Sequence, residues 1–174
     1  QLKKEMSSDG MRMSLIYGRR RVGKSELVKQ AIKEAKIKSF YYECKQVTEE
    51  SNVQSICEVI SEVQGLPKLG YTSIEELMDY VFTLAKDENM VFILDEYPYL
   101  RESVKGLDSI LQSLVDKHRE TSKLKLIILG SYVDIMKSLL EHASPLFGRV
   151  DLAIDLKQMD YYESALFYPN MSDE

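Results

Sequence analysis

Residues 18–25 read GRRRVGKS. Gly18, Gly23, Lys24 and Ser25 satisfy the spacing G-x-x-x-x-G-K-[ST], a pattern whose chemistry is the holding of a phosphate chain. The two glycines let the backbone turn tightly and aim its N–H groups inward, while the helix that follows presents its positive end to the same anion. Lys24 would bridge the β- and γ-phosphates, and the Ser25 hydroxyl would ligate magnesium. Contacts to a nucleotide are expected from the run Gly18, Arg19, Arg20, Arg21, Val22, Gly23, Lys24, Ser25 and Glu26. The competing reading is a solvated basic turn leading into a helix.

Holding a phosphate does not cleave it, which also requires acids and a positioned water. The run VFILDE at 91–96 ends an apolar segment in Asp95 and Glu96. At the carboxyl end of a parallel strand beside the cradle, Asp95 can hold magnesium through its water shell. Glu96 can orient or deprotonate an attacking water. Pro98 is expected to end the strand. Ser131 follows Gly130 after LKLIIL; in a sheet where this strand lies between the cradle strand and the acid strand, its hydroxyl would face the γ-phosphate and report its presence, and the alternative is an ordinary turn with Ser131 as a helix N-cap. Arg149, in SPLFGRV, would stabilise charge on the transferring phosphoryl group, in cis or on a neighbouring subunit; equally, it is a surface arginine paired with a nearby acid.

The elements that must position these groups are legible in the apolar periodicity. Strands are predicted at SLIY 14–17, SFYYEC 39–44, VFIL 91–94, LKLIIL 124–129 and VDLAIDL 150–156. Between them, helical spacing links Leu27, Val28, Ala31, Ile32 and Ala35, and then Val53, Ile56, Cys57 and Ile60. A third helix carries Ile74, Leu77, Met78, Val81, Phe82 and Ala85 on one face, with Ser73 and Glu76 in a capping-box pattern. A fourth is predicted across Val104, Leu107, Ile110, Leu111, Leu114 and Val115, and a shorter fifth from Val133 to Leu140. This alternation implies a parallel sheet with helices on both faces and right-handed crossovers.

The 174 residues, 44% hydrophobic and 29% charged, suit one globular domain with a substantial core. No apolar run is long enough to span a bilayer, and QLKKEMSSDG lacks the apolar core of a signal peptide, so we expect a cytoplasmic protein without a membrane partner. Cys44 and Cys57 form neither a disulfide framework nor a metal pair, and His118 and His142 have no ligand-like neighbours. The net charge of -5 argues against wholesale binding to nucleic acid. Lys33, Lys36 and Lys38, and Lys117, Arg119 and Lys123, are read as solvated faces, and the tyrosine pairs at 41–42 and 161–162 as half-buried packing.

Taken together, GRRRVGKS, ILDEYPYL, IILGSYVDIM and SPLFGR resemble the prokaryotic AAA-family, archaeal-ATPase-like enzymes of the STAND class of P-loop NTPases, from about Ser14 to about Pro169. The resemblance implies that residues 18–25 are the Walker A motif, Asp95 and Glu96 the Walker B pair, Ser131 the sensor and Arg149 the arginine of a PLYGR-like segment with Phe147 in the aromatic position. The tail LKQMDYYESALFYPNMSDE is similar to the family's segment after its last strand. It further implies a three-layer αβα sandwich around a five-stranded parallel sheet of the additional-strand type, order 5-1-4-3-2. Two departures stand out: the chain begins at QLKKEM without the family's F-x-x-R-E-like adenine-contacting segment, and it stops at Glu174 before a winged-helix or effector region. Residues 1–174 are therefore expected to be an ATPase core, a fragment of a longer chain.

The expected function is ATP binding and magnesium-dependent hydrolysis to ADP and phosphate, with ATP/ADP and Mg2+ as ligands, used to drive or switch attached domains. Self-association, or contact with such domains, follows from the resemblance, as does nucleic-acid binding only through domains outside this chain. The alternative is a nucleotide-dependent switch that holds ATP or ADP with little turnover. GTP is disfavoured because neither N-K-x-D nor D-x-x-G occurs, and a small-molecule kinase because there is no arginine-rich lid.

Overall fold

A computed structural model of the chain describes residues 1–158. The tail similarity noted above lies outside these residues beyond Gln158. The elements run α1 (Leu2–Ser7), β1 (Arg12–Tyr17), α2 (Lys24–Ala35), β2 (Lys38–Glu43), α3 (Glu49–Gln64), α4 (Ile74–Leu84), β3 (Met90–Asp95), α5 (Tyr97–Ser103), α6 (Leu107–His118), β4 (Leu124–Gly130), α7 (Val133–Ser138) and β5 (Leu152–Asp155). The five strands form one sheet in the order β2-β3-β4-β1-β5, which is the expected 5-1-4-3-2 read from the other edge. Every pairing is parallel.

Burial along the strands follows from that order. Each residue of the interior strands β3 and β4 is buried, because each strand has a neighbour on both sides and helices over both faces. The outer strand β2 alternates instead, sending Phe40 and Tyr42 into one layer while Tyr41 faces the other. On the first face, Val53, Ile56 and Ile60 of α3, Leu77 and Val81 of α4, and Leu111 and Val115 of α6 pack on Leu15, Phe92, Leu126 and Ile128. On the second, Leu2 and Met6 of α1 and Val28 and Ala31 of α2 cover Ile16, Val91, Ile93, Ile127 and Leu129. The result is the three-layer αβα sandwich.

Local chemistry sets the helix ends. The Thr48 hydroxyl accepts from the Ser51 N–H at 3.2 Å and caps α3; Ser73 accepts from the Glu76 N–H at 3.4 Å and caps α4, as its pattern predicts. Two expectations need correction. Val104 does not belong to the fourth helix: it closes the separate helix α5, and Gly106 at φ 73° breaks the path before α6 begins. Pro98 does not end a strand. β3 stops at Asp95, and Pro98 sits in the first turn of α5, where its missing N–H costs nothing.

Candidate nucleotide site

The loop between β1 and α2 is shaped by two glycines with different constraints. A Cβ on Gly18 would stand 2.2 Å from the Leu156 carbonyl oxygen, so the backbone there must be bare. Gly23 has open space around it but sits at φ 97° as the N-cap of α2, a conformation costly for any residue with a Cβ. Arg21 nevertheless adopts φ 65°, which places backbone strain inside the loop.

Lys24 is buried at the start of α2. Its ammonium donates to the carbonyls of Gly18 at 2.8 Å and Arg19 at 3.0 Å and to the Ser131 hydroxyl at 3.1 Å. Burial holds its pKa below the ordinary lysine value, with repulsion from Arg20 in the same direction and the charges of Glu96 and Asp95 opposing. Ser25, one residue on, donates from Oγ to Asp95 Oδ2 at 2.7 Å. Sheet order brings these groups together: β4 lies between β1 and β3, so Ser131 at its end stands between the loop and the two acids.

Asp95 closes β3 and is almost fully buried; its Oδ1 accepts from the Glu96 N–H at 2.9 Å. Glu96 is the N-cap of α5 in the left-handed region, φ 53°, another strained residue at the site. Its carboxylate accepts from the Ser131 hydroxyl and, at 3.3 Å, from the Ser131 N–H. Lys24, Ser131 and Glu96 therefore form one hydrogen-bonded chain. Ser131 does not cap a helix; Tyr132 holds that position for α7.

These groups line a cleft of about 420 Å³ that also includes Arg20, Arg21, Gly23, Glu26 and Lys29. Arg19 is exposed beside it and offers its carbonyl to Lys24, and Val22 is half-buried against Gly18. Arg20 donates to the Tyr99 hydroxyl at 2.9 Å. Arg149 is not brought to the cleft. It precedes β5 at the amino edge of the sheet, opposite the loop, and its guanidinium grips Asp116 at 3.1 and 2.9 Å, so the reading as a surface arginine paired with an acid describes this arrangement. Several basic residues read as solvated faces are also paired: Lys38 with Glu88, Lys117 with Asp79 and Arg119 with Asp151. His118 Nε2 lies 2.6 Å from Asp79, and its ring stacks on Phe82.

Sequence reasoning missed Tyr41. Its phenol donates to Asp95 Oδ2 and its ring lies under the Lys29 ammonium at 5.0 Å, so it is a site residue, whereas Tyr42 packs in the core and donates to Asn52 at 2.6 Å. The signal was available in the order 5-1-4-3-2 combined with strand alternation. Phe40 and Tyr42 share the core-facing side of β2, which leaves Tyr41 on the loop side, beside the strand that carries Asp95.

The donor set fits a hard, oxygen-seeking dication: a hydroxyl and a carboxylate 2.7 Å apart, with a lysine ammonium and a helix N-terminus beside them for the phosphates that accompany it. Such a loop, paired acids and sheet order define a P-loop nucleotide-binding core. The chain belongs to the family described as "ATPase domain predominantly from Archaea", which it matches over residues 1–174. It is 30% identical over 169 residues to the MJECL04 protein of Methanocaldococcus jannaschii; the match covers 97% of this chain and 36% of that protein's length. Its fold resembles the Walker-type ATPase PABY2304 of Pyrococcus abyssi, with TM-score 0.67 and 22% identity over 90% of this chain and 52% of that one. It also resembles the ORC2 protein of Aeropyrum pernix, solved as ADPNP–ADP complexes, with TM-score 0.66 and 18% identity over 89% and 44%. The ORC1 protein of the same organism, solved in complex with DNA, gives TM-score 0.64 and 15% identity over 90% and 42%. No helix among the described residues is long and apolar enough to cross a membrane.

Proposed function

We propose that the chain binds ATP and hydrolyses it to ADP and phosphate, as the nucleotide-driven core of a longer protein of the STAND class. The observation that carries this reading is the convergence of Lys24, Ser25, Asp95, Glu96 and Ser131 on one cleft from three different strand ends. The backbone N–H groups of residues 18–25 and the Lys24 ammonium would bind the β- and γ-phosphates. Ser25 and Asp95 would hold magnesium, which supplies charge neutralisation between the phosphates when bound. Glu96, at a strand end and half-exposed, receives the proton of an attacking water or orients that water in line with the γ-phosphorus. Ser131, hydrogen-bonded to both Lys24 and Glu96, couples the group that holds the phosphate to the group that handles the water.

Arg149 contributes in trans on this reading, from a neighbouring copy, after release from Asp116. The alternative is a switch with slow turnover, and it is favoured by the Ser131 clasp, which engages the Glu96 carboxylate away from a free water-activating role. DNA-directed work, suggested by the ORC1 neighbour solved in complex with DNA, would belong to parts of the longer protein outside this chain.

Single-turnover conversion of labelled ATP with magnesium, run beside Glu96→Gln and Lys24→Ala and paired with a binding titration, tests the reading. Expected are turnover in the wild type, retained binding without turnover in Glu96→Gln, and loss of binding in Lys24→Ala. Binding without wild-type turnover selects the switch, and tight MgATP binding by Lys24→Ala overturns the assignment of the cradle.

A further inference from the structure

Asp95 is the most heavily engaged carboxylate in the cleft. Its Oδ1 accepts the Glu96 N–H, and its Oδ2 accepts both the Ser25 hydroxyl and the Tyr41 phenol. A carboxylate oxygen offers two lone pairs, so Oδ2 is fully used by protein donors. One of those donors, Ser25, is compatible with a bound cation, because a hydroxyl can give its proton to Asp95 while its oxygen faces the metal. The Tyr41 phenol is different: it occupies an acceptor position that a cation's water shell would use.

From this arrangement we propose that Tyr41 is a displaceable place-holder in the magnesium site, a positioning residue that keeps Asp95 satisfied in the empty cleft and must let go of Oδ2 when the cation and its waters arrive. The inference rests on the ATP-binding reading above. Its surroundings suit a side chain with two resting places. The ring is only half-buried at the outer strand β2, its hydroxyl is inside the cleft, and Lys29 stands 5.0 Å above its face, one helical turn beyond Ser25 on α2. A rotation of the side chain about its Cα–Cβ bond carries ring and phenol together away from Asp95, exchanging one charge-assisted hydrogen bond for solvent, and the long, exposed Lys29 side chain is free to follow the ring. A buried Asp95 without any such donor would be left short of partners whenever the cleft is empty, which is the cost Tyr41 offsets.

Tyr41→Phe removes only the hydroxyl and tests the proposal. Mn2+ is titrated into protein with ADP and free Mn2+ is read by electron paramagnetic resonance, while ADP affinity is measured separately without metal. Expected is roughly tenfold tighter Mn2+ binding in the variant, the value of about one displaced hydrogen bond to a charged group, with metal-free ADP affinity unchanged. A second readout is optical. The chain has no tryptophan and 11 tyrosines, so its near-ultraviolet difference spectrum on adding Mn2+ to the ADP complex reports tyrosines, and a component lost in Tyr41→Phe is the phenol leaving Asp95. Equal or weaker Mn2+ binding in the variant, with wild-type binding normal, overturns this inference and leaves the ATP-binding reading standing. Absence of nucleotide binding by the wild type overturns both.

Discussion

At the scale of single residues, the site is built on positions with little freedom. Gly18 admits no side chain because the Leu156 carbonyl lies 2.2 Å from where a Cβ would stand, and both atoms are fixed by backbone. Gly18→Ala is therefore expected to lower stability by about 1–3 kcal/mol and to abolish ADP binding, measured by chemical denaturation and titration. Gly23→Ala meets no clash and pays only for its left-handed backbone, about 1–2 kcal/mol. Ser131→Ala breaks the link between Lys24 and Glu96 while leaving the loop intact; kcat should fall roughly tenfold, the worth of about one hydrogen bond, with ADP affinity near wild type. Gly18, Lys24, Ser25, Asp95 and Glu96 were legible in the sequence because a phosphate site demands fixed residue types at fixed spacing. Tyr41 has no such spacing; its place follows only when the expected strand order is combined with the alternation that sends Phe40 and Tyr42 into the core. Arg149 was read with two outcomes, and only the fold could show it gripping Asp116.

Among the elements, α5 has the largest consequence for the site, because Glu96 is its N-cap and Tyr99 its contact to Arg20. Seven residues long, it has little intrinsic stability and is held by its neighbour α6. Asp108 of α6 accepts the Tyr97 phenol at 2.6 Å and the Arg101 Nε–H at 2.9 Å, and Tyr97 is 0% exposed. Asp108→Ala leaves that buried phenol without its acceptor, at a cost of about 1–3 kcal/mol, and should lower kcat more than ADP affinity, because Glu96 loses its footing before Lys24 does. The helix escaped sequence reasoning for physical reasons. It is too short for a 3.6-residue period to emerge, it opens with a proline that otherwise signals a strand end, and Val104 continues the apolar pattern of α6 across the break at Gly106. The long helices and all five strands, by contrast, declared themselves through burial on one or both faces.

For the molecule as a whole, the sheet separates two kinds of polar chemistry, with the proposed phosphate cradle at its carboxyl edge and a set of structural ties at its amino edge. Lys125, 2% exposed at the start of β4, donates to the carbonyls of Gly10 and Lys123 and to Asn89, tying three chain segments beneath the sheet. Burial, aided by Arg12, pulls its pKa from the ordinary 10.5 down to about 8. Between these two values the unfolded chain binds the proton that the folded chain has lost, so this group's contribution rises with pH across the window; below about 8 its charging cost is present in full. Urea unfolding at pH 7 and pH 9.5 should therefore show wild type gaining on Lys125→Met at the higher pH, and an equal pH slope in both proteins would refute the assignment. The chain's exit from the sheet has a different significance. The Leu156 N–H bonds the Tyr17 carbonyl at 2.8 Å and its oxygen abuts Gly18, so the strand β5 and the glycine-rich loop after β1 share one joint. Tension on the chain beyond that joint is delivered straight to the cradle, without a lever between. Pulling through a handle at Lys157 against the amino terminus should shorten the dwell of bound ADP, whereas the same load through Lys105 should not, and the proposed phosphate site would then serve as a gauge of the force carried by β5.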